Sequence, residues 1–386
     1  MRHPDSHIYA HTPDTLADWC VEHGMAKYRA DQILEWVYQK GVVDPALMSN
    51  LSKSDRETLS REMTFLSGMT VAHQLASDGT QKLLIEWPDE LEGSVAPEEA
   101  RVDHARRLPI VGAQMPYSNT ARQTECVMIP AQDDRGDGMP SRRTACISSQ
   151  VGCPVGCRFC ASGLGGLDGN LSAGRIVEQV WRLGRLDGVE RITNVVFMGM
   201  GEPLANLKAV THAVRTITAD WGLGISARKV TISTVGLPRA IERLSAELDL
   251  PVTLALSLHA PTDELRRKLI PWAELTTIAD LLAACRKWFD KTGREITLEY
   301  ILLGGVNDQA EHAAALAGVS KTLRANVNLI RYNEVDGLEF RRPDAGDVRR
   351  FQELLRARGV NAHIRASRGR DIAAACGQLR HERAGV

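Results

Sequence analysis

Cys153-Pro154-Val155-Gly156-Cys157-Arg158-Phe159-Cys160 decides how the rest of this chain is read. Three cysteines stand four and then three residues apart, with Pro154 and Gly156 among them to bend the backbone into a short loop. With eight cysteines in 386 residues, a chance occurrence of that spacing is roughly 0.003, so the run asks for a chemical explanation. Thiolates this close together point to a metal. A structural zinc or a fully protein-ligated iron–sulfur cluster takes four side chains. Three cysteines on a four-iron cluster leave one iron open to a small molecule, whereas a zinc knuckle would draw a fourth cysteine from elsewhere in the chain.

Composition sets the bounds. Hydrophobic residues make up 44% of the chain and charged residues 25%, which suits a globular protein with a sizeable core. The opening MRHPDSHIYAHTPD has no apolar stretch after its basic residue, and no apolar run is long enough to cross a bilayer. A cytoplasmic protein without membrane contact is therefore expected, its cysteines reduced and available for metal and catalysis. Formal net charge is −1, so any nucleic acid must be met by local basic patches.

Working outward from the cysteines, residues 1–66 read as a small helical module, with apolar residues at helical spacing and Gly41 placed to stop the second helix. Residues 67–143 read as a β-strand linker region, with short antiparallel strands around Asp78-Gly79. Within it, residues 88–122 lose periodicity and read as an insertion, residues 123–130 resume as a strand, and residues 131–143 form a polar loop. Residues 144–386 read as the core. Strands are predicted at 145–149, 192–198, 229–234, 252–259, 296–303 and 326–333, alternating with helices near 173–183, 206–218, 238–246, 276–291, 308–323 and 345–358. Six strand-then-helix units predict an α/β fold, a parallel sheet curling into a partial (βα)6 TIM-like barrel.

In such barrels ligands gather where strands end. The first predicted strand runs into the cysteine loop, and the second into Gly199-Met200-Gly201-Glu202-Pro203. The later exits are Ser233-Thr234-Val235-Gly236, Ser257-Leu258-His259, Gly304-Gly305-Val306-Asn307-Asp308 and Asn333. Singly each has a plainer reading: Gly201 and Pro203 as turn formers, Ser233 as a helix cap, Asn333 as a turn residue. Together they favour one ligand site lined from many strands.

The cysteine loop resembles the signature of radical S-adenosylmethionine (SAM) enzymes. The run from Thr144 to Cys153, the Gly-Met-Gly-Glu-Pro run, Ser257-Leu258-His259-Ala260-Pro261 and the Gly304–Asp308 run resemble the RlmN branch of that superfamily. So do Arg368–Leu379 near the C-terminus and the helical region from Tyr28 to Lys53. RlmN and its relative Cfr methylate adenine carbons in RNA. The chain departs from the family pattern at Gly169, where arginine is usual, and at Arg331-Tyr332-Asn333, where Pro-Trp-Asn is usual.

The resemblance implies a radical SAM core preceded by an RNA-side N-terminal domain. It implies that Cys153, Cys157 and Cys160 hold a 4Fe-4S cluster and that Gly201, Glu202, Ser233, Ser257, Leu258, His259 and Asn333 contact SAM. Cys376 would carry a methyl group, Cys146 would be its partner thiol, and Glu125 a candidate proton acceptor. The implied reaction methylates adenine carbon 2 in 23S rRNA and in tRNA through methyl-Cys376, with two SAM per turnover. A disulfide between the two thiols forms on release. An electron donor such as flavodoxin and a monomeric state go with it. Methylation at carbon 8, as in Cfr, is the near alternative, and a zinc-stabilised RNA-binding protein without catalysis is the distant one.

Without the resemblance, Cys376 reads as a small packing residue after Ala373-Ala374-Ala375, Cys146 as core and Glu125 as an exposed charge. Cys20, Cys126 and Cys285 match no motif and read as packing. RNA contact is expected at Arg142/Arg143, Arg266/Arg267/Lys268, Arg341/Arg342 and above all Arg365, Arg368 and Arg370, which lead to Cys376.

Overall fold

Hydroxyl side chains start the first and third helices. In α1 (Pro13–Glu22) the Thr12 oxygen accepts from the amide of Thr15, and in α3 (Lys53–Glu62) Ser52 accepts from Asp55. Each satisfies one of the amides that a helix start leaves without a partner. Between them, α2 (Arg29–Leu34) passes into a π turn at Glu35–Gln39 and stops at Gly41, whose φ of 70° is the left-handed conformation a helix stop favours. The computed structural model describes residues 1–88, 122–131 and 142–379. All but the ends of the predicted insertion at 88–122, and most of the loop at 131–143, lie outside the described residues.

After this module come β1 (Met69–Leu75), β2 (Gln81–Glu86), β3 (Gln123–Pro130) and β4 (Arg143–Cys146), each antiparallel to the one before. A two-stranded hairpin, β5 (Gln150–Gly152) and β6 (Leu167–Asn170), brackets the cysteine loop. Then α4 (Ala173–Leu183), β7 (Asn194–Phe197), α5 (Leu207–Thr218), β8 (Val230–Thr234), α6 (Pro238–Glu247) and β9 (Thr253–Ser257) alternate. They are followed by α7 (Asp263–Leu269), α8 (Ile278–Thr292), β10 (Ile296–Leu302), α9 (Ala310–Ser320), β11 (Ala325–Arg331), α10 (Ala345–Arg356) and β12 (Ala362–Arg365).

One sheet runs in the order β1-β2-β3-β4-β7-β8-β9-β10-β11-β12, parallel from β4 to β12 and open at both edges. This is the partial barrel expected from six strand–helix units, with two additions. β12 escaped sequence reading because only Ala362 of its four residues is buried, so no apolar alternation marks it. The β5–β6 hairpin has strands of three and four residues, too short for a periodic signal. The first parallel strand also ends earlier than residues 145–149 suggested. Pairing stops at Cys146, and the chain then turns to aim Ser148 and Ser149 inward. Gln179 of α4 fixes that turn, accepting from the Ser148 amide at 2.9 Å and donating to its carbonyl at 2.9 Å.

Ile232, Leu254 and Leu298 of the central strands are fully buried, each contributing about 1.5–3 kcal/mol. No helix among the described residues is long and apolar enough to cross a membrane.

A carboxylate joins the N-terminal module to the barrel. Glu178 of α4, fully buried, accepts from the amide of Ser67 (2.9 Å), its hydroxyl (2.9 Å), the amide of Gly68 (3.1 Å) and the Arg182 guanidinium (2.9 Å). His7 lies 3.1 Å away. Burial alone would raise the Glu178 pKa, but Arg182, His7 and the Ser67 amide together hold it down to about 2, below its usual 4.5. A depressed folded-state pKa contributes stability above the unfolded value that is lost as pH falls through the folded one. We therefore expect Glu178→Gln, which takes the carboxylate charge from beside the buried Arg182 and His7, to lose about 3–5 kcal/mol at neutral pH. Denaturant unfolding of variant and parent from pH 7 down to 2 should show their difference shrinking below about pH 4.5. A constant difference would detach the effect from the charge.

Candidate active site

The cysteine loop is shaped by its glycines and by what grips it. Gly156 has φ 67°, and a Cβ on Gly163 would sit 2.9 Å from the Gly156 Cα, so the two turns of the loop touch. The Arg158 amide donates to the Leu269 carbonyl of α7 (3.0 Å), and the Cys153 amide to Gly166 (3.0 Å). Phe159 turns inward and meets the His259 ring edge-on, centroids 5.0 Å apart. The three thiols are electrostatic neighbours, with Cys157 feeling both Cys160 and Cys153. Burial pushes all three up, Cys153 to about 12.

Thiols held protonated by an apolar pocket ionise when a metal supplies the opposing charge. The sulfurs already face donors: the amides of Val155 and Gly201 at Cys153, and the amides of Ser162 and Gly163 with the Ser162 hydroxyl at Cys160. Amide-to-sulfur hydrogen bonds are among the features that tune protein-bound iron–sulfur clusters. The donor set fits a three-thiolate cluster.

Neighbouring strand exits touch one another, though not all through their side chains. Gly201 has φ 102°, and a Cβ there would meet Gln150 at 2.7 Å and Ser149 at 2.8 Å, so only glycine brings the backbone to the mouth. Glu202 is buried and accepts from the amides of Leu204 (3.0 Å) and Val235 (2.8 Å). Burial raises its pKa to about 7 despite those amides. Such a carboxylate suits an ammonium ligand, whose charge restores the ionised form. His259, buried at φ 58°, accepts at Nδ1 from the Ile301 amide (3.1 Å). Burial and Arg266 lower it to about 3, so its ring is neutral.

The Ser233 hydroxyl is committed to the Phe197 carbonyl (2.7 Å), Ser257 is half-buried, and Leu258 is fully buried and presents backbone. Asn307 latches two exits together by donating to the carbonyls of His259 (2.9 Å) and Ile301 (2.7 Å), a supporting part and not a ligand contact.

The C-terminal loop closes over this mouth. Ala161, one residue past the last cysteine, donates to the Gly377 carbonyl (2.8 Å), and the Ser162 hydroxyl donates to Leu379 (2.6 Å). Asn333 donates to the Cys376 carbonyl (3.3 Å) and accepts from Arg342 (2.6 Å). Ala374 and Leu379 pack with Val127, Cys146 and Met200. Cys376 is exposed within the mouth yet ringed by protein, so desolvation raises its pKa while Arg365 pulls it down. Its thiol feels Cys160, and the buried Cys146 thiol feels Cys376.

Glu125 does not stand as an exposed charge. It is buried and paired with Lys82 at 2.6 Å. Cys20, Cys126 and Cys285 are buried.

The basic clusters divide. Arg266 is fully buried, donating to the carbonyls of Leu258 and Val235, and so leaves the list of RNA-facing residues. Arg143 is buried too and paired with Glu190, while Arg365 and Arg370 stay exposed. Sequence reasoning missed Lys82 and Arg266 as parts of the mouth. The signal for Arg266 was its place three residues into a Thr262-capped helix that directly follows the Ser257-Leu258-His259 exit.

Residues 147–317 match the model of the radical SAM superfamily, and residues 8–64 that of the ribosomal RNA large subunit methyltransferase N-terminal domain. The chain is 42% identical over 372 residues to a probable dual-specificity RNA methyltransferase RlmN from Salinibacter ruber, covering 95% of this chain and 92% of that one. It is 38% identical to the dual-specificity RNA methyltransferase RlmN of Dichelobacter nodosus, covering 96% and 93%. A solved radical SAM methyltransferase from Sphaerobacter thermophilus superposes with a TM-score of 0.84 at 37% identity, over 98% of this chain and all of that one. A radical SAM enzyme uses a 4Fe-4S cluster and SAM. Likeness of this depth through both the N-terminal module and the barrel means that the chain belongs to the RlmN family, the radical SAM methyltransferases of RNA.

Proposed function

We propose that this enzyme methylates carbon 2 of adenine in 23S rRNA and in tRNA, carrying the methyl group on Cys376. The observation that carries this reading is the docking of the Cys376 loop on the cysteine loop, through Ala161 and Gly377, with Cys146 beside it. The reading of two RNA substrates draws on the description of the curated relatives as dual-specificity enzymes. Carbon 2, not carbon 8, draws on the match of residues 8–64 to the RlmN N-terminal domain.

Carbon 2 of adenine is neither acidic nor nucleophilic, so a polar methyl transfer cannot reach it. When bound, the cluster and SAM supply a 5′-deoxyadenosyl radical able to take a hydrogen atom from a methyl group. Cys376 acts first as a thiolate nucleophile, accepting its methyl from one SAM, so a turnover consumes two. Arg365 favours that thiolate, offsetting part of the burial.

Once the methylene carbon is bonded to the ring, the protein is joined to RNA through a thioether. Glu125 then accepts the proton from the ring carbon, and the one electron left over from the radical addition would return to a cluster held by Cys153, Cys157 and Cys160, a one-electron carrier. The Cys146 thiolate attacks the Cys376 sulfur, an S–S bond forms and the S–C bond breaks. The electron pair of that S–C bond passes to the methylene carbon, which takes a proton and becomes methyl. The target base has to leave its stack to reach the mouth, at a cost of a few kcal/mol, which favours looped RNA. Cluster reduction calls for a one-electron donor such as flavodoxin.

Cys376→Ala is expected to retain iron and visible absorbance after anaerobic purification, while methylation falls by roughly 10³-fold or more. Mass spectrometry of the peptide around residue 376 should show a methyl group in the parent. Its absence there under turnover would overturn the carrier role. Cys146→Ala is expected to form the thioether and then stall, leaving protein and RNA joined on a denaturing gel. Nucleoside digestion of the RNA product reads the position, and 8-methyladenosine in place of 2-methyladenosine would overturn the carbon assignment.

A further inference from the structure

The register of the antiparallel strands sets three chemistry-bearing side chains on one face. Val127 of β3 is paired with Lys82 of β2 on one side and with Cys146 of β4 on the other. Directly paired residues project to the same face, and so does Glu125, two residues along from Val127. Lys82, Glu125 and Cys146 therefore all face the mouth where Ala374 and Leu379 of the C-terminal loop pack.

Lys82 reaches two partners there. Its ammonium lies 2.6 Å from the Glu125 carboxylate and donates to the Ala373 carbonyl at 3.3 Å, and both side chains of the pair are almost wholly enclosed. Ala373 has φ 49°, a conformation that a residue with a Cβ adopts only when its surroundings impose it. The turn between β1 and β2 imposes it from nearby. Ser77 donates its amide to Asp371 (2.8 Å), Asp78 accepts from the Gly369 amide (3.0 Å), and a Cβ on Gly369 would meet Thr80 at 2.9 Å.

A buried ion pair serving stability alone is often no better than an apolar pair of the same size. Here the cation is shared between a carboxylate and a loop carbonyl three residues before Cys376.

We propose that Lys82 is a positioning residue that holds the Glu125 carboxylate and the Cys376 loop in one fixed relation, so that proton removal and attack by Cys146 meet the same thioether. The proposal rests on the roles given above to Glu125 and Cys376. Formation of the protein–RNA thioether needs no base, whereas its release does, so loss of Lys82 acts on release.

The test compares Lys82→Met, Lys82→Arg, Glu125→Gln and the Met/Gln double variant. All are checked for cluster content and melting temperature, since Lys82→Met takes the cation from beside a buried carboxylate, whereas the double variant removes both charges. Under single turnover, Lys82→Met is expected to clear the protein–RNA adduct about 10- to 100-fold more slowly than the parent, the loss a charge-assisted hydrogen bond carries. The double variant should be no slower than Glu125→Gln, because Lys82 works through that carboxylate. Amide exchange across residues 369–376 should quicken in Lys82→Met, and Lys82→Arg should restore most of both effects.

Parental adduct clearance by Lys82→Met, or unchanged exchange of the loop, would overturn the proposal while leaving Glu125→Gln free to report on the base. If Glu125→Gln clears the adduct normally, the base assignment and the shared bracket both fall.

Discussion

A hydrogen bond between the C-terminal loop and the single 3-10 turn Ala161–Gly163 that ends the cysteine loop organises this enzyme. The Ala161 amide donates to the Gly377 carbonyl, and with the Ser162–Leu379 bond it presses the C-terminal loop onto the cysteine loop. Neither loop could hold such a position alone, because fixing each backbone residue costs about 1–2 kcal/mol. The barrel supplies the anchors. Cys153 is tied to Gly166 beside the β5–β6 hairpin, Arg158 to α7, and Cys376 to Asn333 just beyond β11. Reacting groups on loops positioned by a rigid sheet are a common solution, and here two loops from distant parts of the chain position each other.

The electrostatics of the mouth are local. A chain with a net charge of −1 carries no general attraction for RNA, yet Arg365 and Arg370 remain exposed close to Cys376. Deeper in, burial governs. It raises Glu202 to about 7, leaves His259 neutral and pushes the cysteine thiols up. In each case the apolar surroundings disfavour the charged form until an opposite charge arrives. The same surroundings strengthen every interaction made after the ligands enter.

Much of this was legible in the sequence, for definable reasons. The cysteine spacing and the Gly-Met-Gly-Glu-Pro run stand out because few backbones tolerate their glycines and few chemistries need their side chains. The parallel strands announce themselves by buried aliphatic runs such as Leu254–Leu256. β12 did not, since a four-residue edge strand with three exposed side chains has no pattern to read. The burial of Arg266 and Arg143 could not be read either, because a guanidinium looks the same in sequence whether it faces solvent or a ring of carbonyls. Lys82 was hidden for a related reason. It is a lone charge in a strand, and its partners Glu125 and Ala373 lie 43 and 291 positions away in the chain.

The open sheet explains why those distant partners meet. β1 and β12 sit at opposite edges, and among the described residues no strand pairing closes the gap between them. The segment after β12 closes it instead. Gly369 and Asp371 bond to the turn between β1 and β2, and Gly377 bonds to the cysteine loop. Closure by strands would have buried every backbone group in a ladder and left no room for a reactive thiol. Closure by a loop fixed at both ends leaves Cys376 exposed between its anchors, with Cys146 and Cys160 beside it. The strain at Ala373 is then a consequence of the route. The chain has to turn sharply between the hairpin and the cysteine loop, and hydrogen bonds on either side of the turn hold it there.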